Sequence, residues 1–143
     1  MELDRIFDHA LAAQWSPTTQ AIYRDFSERL MRQDALTVKV GKGGLSYYKI
    51  TAGGPIFVCH FNAEPRGGNA ELGFADFRRD TLERVLPFPA VLASLQAALG
   101  PEITIKPGNI WYSFHFPLAR RAEIADALRE QIVAQIPADQ TPT

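Results

Sequence analysis

The 143 residues contain one cysteine, Cys59. No intramolecular disulfide can form, and no cysteine-based zinc cluster can be assembled. Long apolar runs are missing too: nothing approaches the roughly 18 consecutive apolar residues that mark a membrane-spanning helix. The opening Met1-Glu2-Leu3-Asp4-Arg5 is acidic and polar where a secretory signal is basic and then apolar. Basic charge is not in excess either, with fifteen Lys and Arg against sixteen Asp and Glu and a formal net charge of −1. A chain whose main task is to grip a phosphate backbone usually carries a clear basic surplus. These absences lead us to expect a cytoplasmic protein with no membrane anchor and no general hold on nucleic acid. Repeats, low-complexity tracts and linkers are also missing, so one domain over residues 1–143, frayed at 136–143, is the simplest expectation.

Chemical signatures are equally sparse. The chain has no nucleophile elbow, no dinucleotide fingerprint, no recognisably spaced pair of carboxylates and no zinc-ligand pair. Nothing in the sequence names a reaction, and a non-enzymatic binding role is the better expectation.

What is present is an ordinary globular composition, 46% hydrophobic and 22% charged, in a chain long enough to bury a real core. Leu3, Ile6, Phe7, Ala10 and Leu11 recur at helical spacing. Ser16-Pro17 is a helix start, since the serine oxygen can accept from a free N–H and proline suits the first turn. Ile22, Tyr23, Phe26 and Leu30 give the following helix one apolar stripe, ending near Gln33. The period then falls to two: Leu36, Val38 and Val40 alternate with Thr37 and Lys39. Glycine turns at residues 41–44 and 52–55 separate this strand from two more, at 45–51 and 56–61. Such short connections argue for an antiparallel meander. A fourth strand is expected at 71–77, a turn or short helical piece at 78–89, and a helix on Val91, Leu92, Leu95 and Leu99 closed by Gly100-Pro101. Strands at 103–106 and 110–116 follow, then a helix with Ile124, Leu128, Ile132 and Ile136 on one stripe. Clustered strands with helices around them define an α+β fold: a single antiparallel sheet of about five to six strands with helices packed mainly on one face. The third strand is apolar on both sides, Ile56 and Val58 on one and Phe57, Cys59 and Phe61 on the other, and should lie centrally.

The order of an amphipathic helix, then "LTVKV", "LSYYKI", "PIFVCHF" and "AELGF", and later "IKPGNIWYSFHFP" with a closing helix, resembles the YdhG-like family of small bacterial domains. The likeness spans about residues 16–136 and rests on element order and aromatic placement, without a signature of fixed residues. It implies a compact α+β fold. Some members are described as iron chaperones related in shape to frataxin, which implies at most a carboxylate-rich iron surface. Here the acidic residues of the leading helix, Glu2, Asp4 and Asp8, are few and stand beside Arg5. The extra leading helix and the long stretch at 77–89 also depart from the family.

Four constellations are candidates for function. "VGKGGLS" at 40–46 could cradle a phosphate, but a strand follows it where a phosphate loop needs a helix, so a hairpin turn fits better. Cys59 and His60 are strand neighbours and point to opposite faces, so they cannot share one metal. His60 and His115 could meet if the third and sixth strands are adjacent. Glu64 or Asp76 could then complete a site for iron or zinc. A histidine on a sheet surface is more often simply solvated or hydrogen-bonded. Cys59, in the most apolar strand, reads as a buried inert thiol.

The aromatic and basic set is larger: Tyr47, Tyr48, Lys49, Trp111 and Tyr112, with Lys39, Lys42, Arg66 and Lys106 on or beside strands and turns. An open face carrying Tyr47, Lys49 and Trp111, with Arg66 near, could stack an aromatic ligand or an unpaired base with cations for phosphate, and the near-neutral charge favours a small molecule or a protein partner over nucleic acid. The plainer account is that such residues are favoured in strands and cover a half-buried sheet. A second copy of the chain is another way to cover an open face, with Tyr48, Phe57, Phe61, Phe114 and Phe116 as contacts. A homodimer is therefore expected.

Overall fold

Ser16 opens the first described helix as its chemistry suggests. Its hydroxyl accepts the backbone N–H of Thr19 at 3.2 Å, and Pro17 sits in the first turn, where a missing N–H costs nothing. In this computed structural model, which describes residues 14–32, 36–41, 43–64, 68–75, 88–100, 104–107 and 111–136, that helix is α1, Pro17–Leu30. The expected helix at 3–11 and the stretch at 78–87 lie outside the described residues.

The strands are β1 (Leu36–Gly41), β2 (Gly44–Thr51), β3 (Gly54–Glu64), β4 (Asn69–Ala75), β5 (Thr104–Pro107) and β6 (Trp111–Pro117). Helix α2 (Phe88–Leu99) precedes β5, and α3 (Arg121–Gln131) follows β6 between two short 3-10 turns. All six strands form one antiparallel sheet in the order β1-β2-β3-β4-β6-β5, so the α+β expectation holds and β3 is interior.

Glycine is required at the first hairpin. Gly44 has φ of 139°, and a Cβ there would run into the backbone carbonyl oxygen of Phe61. Only a residue without a side chain lets β2 approach β3 this closely.

The pairing of β2 with β3 changes register once. From the turn outward Thr51 faces Gly54, Lys49 faces Ile56 and Tyr48 faces Phe57, but Tyr47 then faces Cys59 and Ser46 faces His60. Val58 is the extra residue, a β-bulge that restarts the alternation of β3. The faces expected for β3 are corrected accordingly. Val58, Cys59 and Phe61 all belong to the main core, while Phe57, buried though it is, lies outside that cluster.

The core occupies one side of the sheet. Leu36 and Val38 of β1, Leu45 and Tyr47 of β2, Phe61 of β3, Leu72 of β4 and Phe114 and Phe116 of β6 face it in register. Tyr23, Phe26 and Leu30 of α1, Leu95 and Leu99 of α2 and Ile124 and Leu128 of α3 close over them. Phe26 stacks on Phe61 at 4.0 Å between centroids. Each fully buried ring of this kind contributes on the order of 2–3 kcal/mol of transfer free energy. Two ion pairs join α1 to α3, Asp25 with Arg121 at 2.9 Å and Arg29 with Asp126 at 3.1 Å, and their order means the helices run parallel. Every described helix therefore lies on the same side of the sheet.

Candidate functional site

Strand alternation decides what the opposite face carries. In β2 the residues at 45, 47, 49 and 51 are buried under the helices, leaving Ser46, Tyr48 and Ile50 on the other side. Register then aligns Thr37 and Lys39 of β1, Phe57, His60 and Asn62 of β3, Glu71 of β4 and His115 of β6 on that same face. No described helix packs there.

Tyr47 and Lys49 do not take part in this face, which corrects the expected binding set. Tyr47 is wholly buried, and its hydroxyl is hydrogen-bonded to Ser27 of α1 at 2.8 Å. Burial pushes that hydroxyl well above the ordinary tyrosine value, with the Ser27 bond pulling the other way. Lys49 is 4% exposed and donates to the carbonyl oxygens of Val133 and Ile136, each at 2.6 Å. Its ammonium thus serves carbonyls at the end of the last helical turns, where unpaired acceptors and the negative end of the helix favour a cation. Trp111 pairs with Ala75 at the start of β6, and its side chain lies outside what is described. Arg66 lies outside the described residues. Of the aromatics expected at a dimer contact, Phe61, Phe114 and Phe116 are core residues, and Tyr48 and Phe57 lie on the face that no described helix covers.

The shared metal site expected of His60 and His115 is also corrected. Strand β4 runs between β3 and β6, so the two histidines are not on adjacent strands. His60 turns both ring nitrogens toward β2 and its hairpin: Nδ1 lies 2.9 Å from Ser46 Oγ and Nε2 3.2 Å from the carbonyl oxygen of Gly43. His115 instead faces Glu71, its Nε2 4.0 Å from Oε2. Among the described residues no group of three or more His, Cys, Asp and Glu is placed to hold a metal ion. Asp76 and the side chain of Glu64 lie outside what is described. Cys59 is wholly buried, as expected, and burial pushes its thiol far up, which keeps it protonated and inert.

Two further groups stand on the face that no described helix covers. The first is apolar with a cation: Tyr48 meets Phe57 edge-on at 5.5 Å, Lys39 Nζ sits 5.0 Å over the Tyr48 ring, and Ile50 is 45% exposed. An ammonium over an aromatic face is a favourable arrangement that leaves the cation beside a flat apolar surface. The second is the row Lys39, Ser46 and His60, three residues directly opposite one another on β1, β2 and β3.

That row escaped the sequence. Ser46 and His60 are fourteen positions apart, and a regular hairpin closed at Thr51 and Gly54 would set Ser46 against Cys59 instead. Only the bulge at Val58 brings the histidine opposite the serine, and no residue pattern announces it.

The fold and this face define an α+β domain with one side of its sheet covered by helices and the other presenting mixed aromatic and polar side chains. Compared with known protein families, curated proteins and solved structures, the chain has no significant match. Among the described residues no helix is long and apolar enough to cross a membrane.

Proposed function

We propose that this chain is a cytoplasmic binding domain that takes a small planar ligand of anionic character on the face of its sheet that no described helix covers. The observation that carries this is the Lys39, Tyr48 and Phe57 group: two aromatic rings packed edge-on with an ammonium at 5.0 Å from one of them. A planar ligand stacks on the exposed part of Tyr48, and its negative group meets Lys39; stacking of this kind is worth about 1–3 kcal/mol per ring. Kinship with the YdhG-like domains belongs to the same proposal. It is compatible with the element order and adds no ligand of its own.

The test is a titration of isotopically labelled protein with a panel of small aromatic carboxylates, followed by amide chemical shifts. Binding should move the signals of residues 37–39, 46–50 and 57–60 and should weaken at least tenfold in Tyr48→Ala. Shifts confined to the helices, or binding indifferent to Tyr48→Ala, refute the assignment. Sedimentation of the same samples detects the competing occupant. A dimer that Ile50→Lys dissociates would give this face to a second copy.

A further inference from the structure

We infer that the row of Lys39, Ser46 and His60 is a nucleophilic site able to cleave small activated esters. This goes beyond binding: it shares Lys39 and Tyr48 with the stacking group beside it, but it rests on the contacts of Ser46, His60 and Gly43, which that group does not use.

The tautomer of His60 follows from its partners. A backbone carbonyl can only accept, so Nε2 must carry the proton it offers to Gly43 at 3.2 Å. In the neutral ring Nδ1 is then the acceptor, and the Ser46 hydroxyl donates to it at 2.9 Å. A serine whose proton already points at a free imidazole lone pair is the starting arrangement for general-base activation. The Gly43 carbonyl plays the orienting part: it fixes the ring and favours the imidazolium that forms when Nδ1 takes the proton. Both side chains are half-buried, not sealed in the core, so a small substrate can reach them. Lys39 is exposed and stands opposite Ser46 on the other flank from His60, at the short side-chain separation of a cross-strand pair. Tyr48, two residues along β2 on the same face, supplies an apolar wall.

The reaction balances without any other agent than water. Ser46 Oγ forms a bond to the ester carbonyl carbon as its proton passes to His60 Nδ1. The carbonyl π pair moves onto oxygen, within the field of the Lys39 ammonium that lies over the neighbouring Tyr48 ring. That pair returns as the bond to the leaving oxygen breaks, and Nδ1 gives its proton to the leaving oxygen. Water then attacks the acyl-serine, passing its proton to Nδ1, and the Oγ–C bond breaks with Oγ taking the proton back. The products are an alcohol and a carboxylic acid. With the carbonyl-bearing group laid against Tyr48, aryl and other flat esters are the substrate class that fits.

The decisive experiment is labelling of the full chain with a fluorophosphonate probe and peptide mapping by mass spectrometry. The adduct should sit on Ser46, disappear in Ser46→Ala, fall at least tenfold in rate in His60→Gln, and fall less steeply in Lys39→Met. General-base assistance of this sort is commonly worth about 10²–10⁴ in rate. No adduct, or an adduct elsewhere, overturns the inference. A second readout does not depend on turnover. In Ser46→Cys the new thiol should react with iodoacetamide faster than a free thiol at neutral pH, with its rate half-point below the usual value of about 8.5, because His60 accepts its proton. The native Cys59 is wholly buried and contributes no background in the folded protein. A half-point at or above the free-thiol value shows that His60 does not act on position 46 and sinks the site. Retained aromatic-carboxylate binding in Ser46→Ala would separate failure of this chemistry from failure of the binding surface.

Discussion

Lys49→Met tests the structural assignment of a residue that its sequence context would place in a binding site. Lys49 is 4% exposed, and its ammonium donates to the carbonyl oxygens of Val133 and Ile136 at 2.6 Å each, tying β2 to the end of the last described helical segment. Hydrogen bonds from a charged donor are worth roughly 1.5–3 kcal/mol each, and the Ile136 carbonyl left without its donor costs about 1–3 kcal/mol, while the Val133 carbonyl keeps the Ile136 amide. Against this, methionine removes a buried charge whose desolvation costs several kcal/mol, and it keeps most of the packing of the lysine stem. The neighbouring residues 134 and 135 are exposed, so the freed carbonyls can recruit water by loosening the final turn. The balance is a net loss of about 2 kcal/mol, or roughly 6–8 °C in Tm for a chain of this size. Urea denaturation followed by circular dichroism gives the free energy. Hydrogen exchange at the amides of Gln135 and Ile136, which bond to the carbonyls of Ile132 and Val133, reports the loosening directly. A change below about 0.5 kcal/mol with undiminished protection at those amides would refute the tie. Loss of ligand affinity without loss of stability would return Lys49 to a binding role.

The Tyr47 hydroxyl and Ser27 form a closed buried pair at 2.8 Å. Tyr47→Phe should therefore cost about 1–2 kcal/mol by leaving Ser27 unpaired, and the double variant with Ser27→Ala should recover part of that loss, as a double-mutant cycle in urea will measure. Alkaline pH should destabilise the fold. Burial raises the folded values of Tyr23 and Tyr47 above the ordinary 10.0 and of Cys59 above 9.0. A raised acid binds its proton more tightly folded than unfolded, so the stability it confers is complete below the unfolded value and is lost as pH rises past it. Urea midpoints should fall from about pH 9 upward, and in the Tyr47→Phe variant the fall above pH 10 should be shallower.

Periodicity and turn chemistry made much of the architecture legible. The Ser16-Pro17 start, the two-residue alternation of Leu36, Val38 and Val40, and the glycine turns between strands are short-range signals, and each corresponds to an element in the structure. Boundaries moved by a few residues: the fourth strand runs Asn69–Ala75 where 71–77 was expected, because pairing with β3 and β6 outweighs the weak strand preference of its alanines and glycine. The candidate site was much less legible. Tyrosine packs on a wet face or under a helix, and a lysine is buried only where partners meet its charge, so Tyr47 and Lys49 could be assigned only once Ser27, Val133 and Ile136 were in place.

By itself, the order of residues determined that this chain builds an antiparallel sheet backed by amphipathic helices, because helix and strand periods are set by neighbours a few positions apart. Tertiary structure alone decided that β4 separates His60 from His115, that a bulge at Val58 puts His60 against Ser46, and that Tyr47 and Lys49 face inward. Those outcomes depend on strand order and on a one-residue shift of register. In a structure whose side chains alternate with period two, such a shift exchanges the two faces of a strand and leaves its local pattern unchanged.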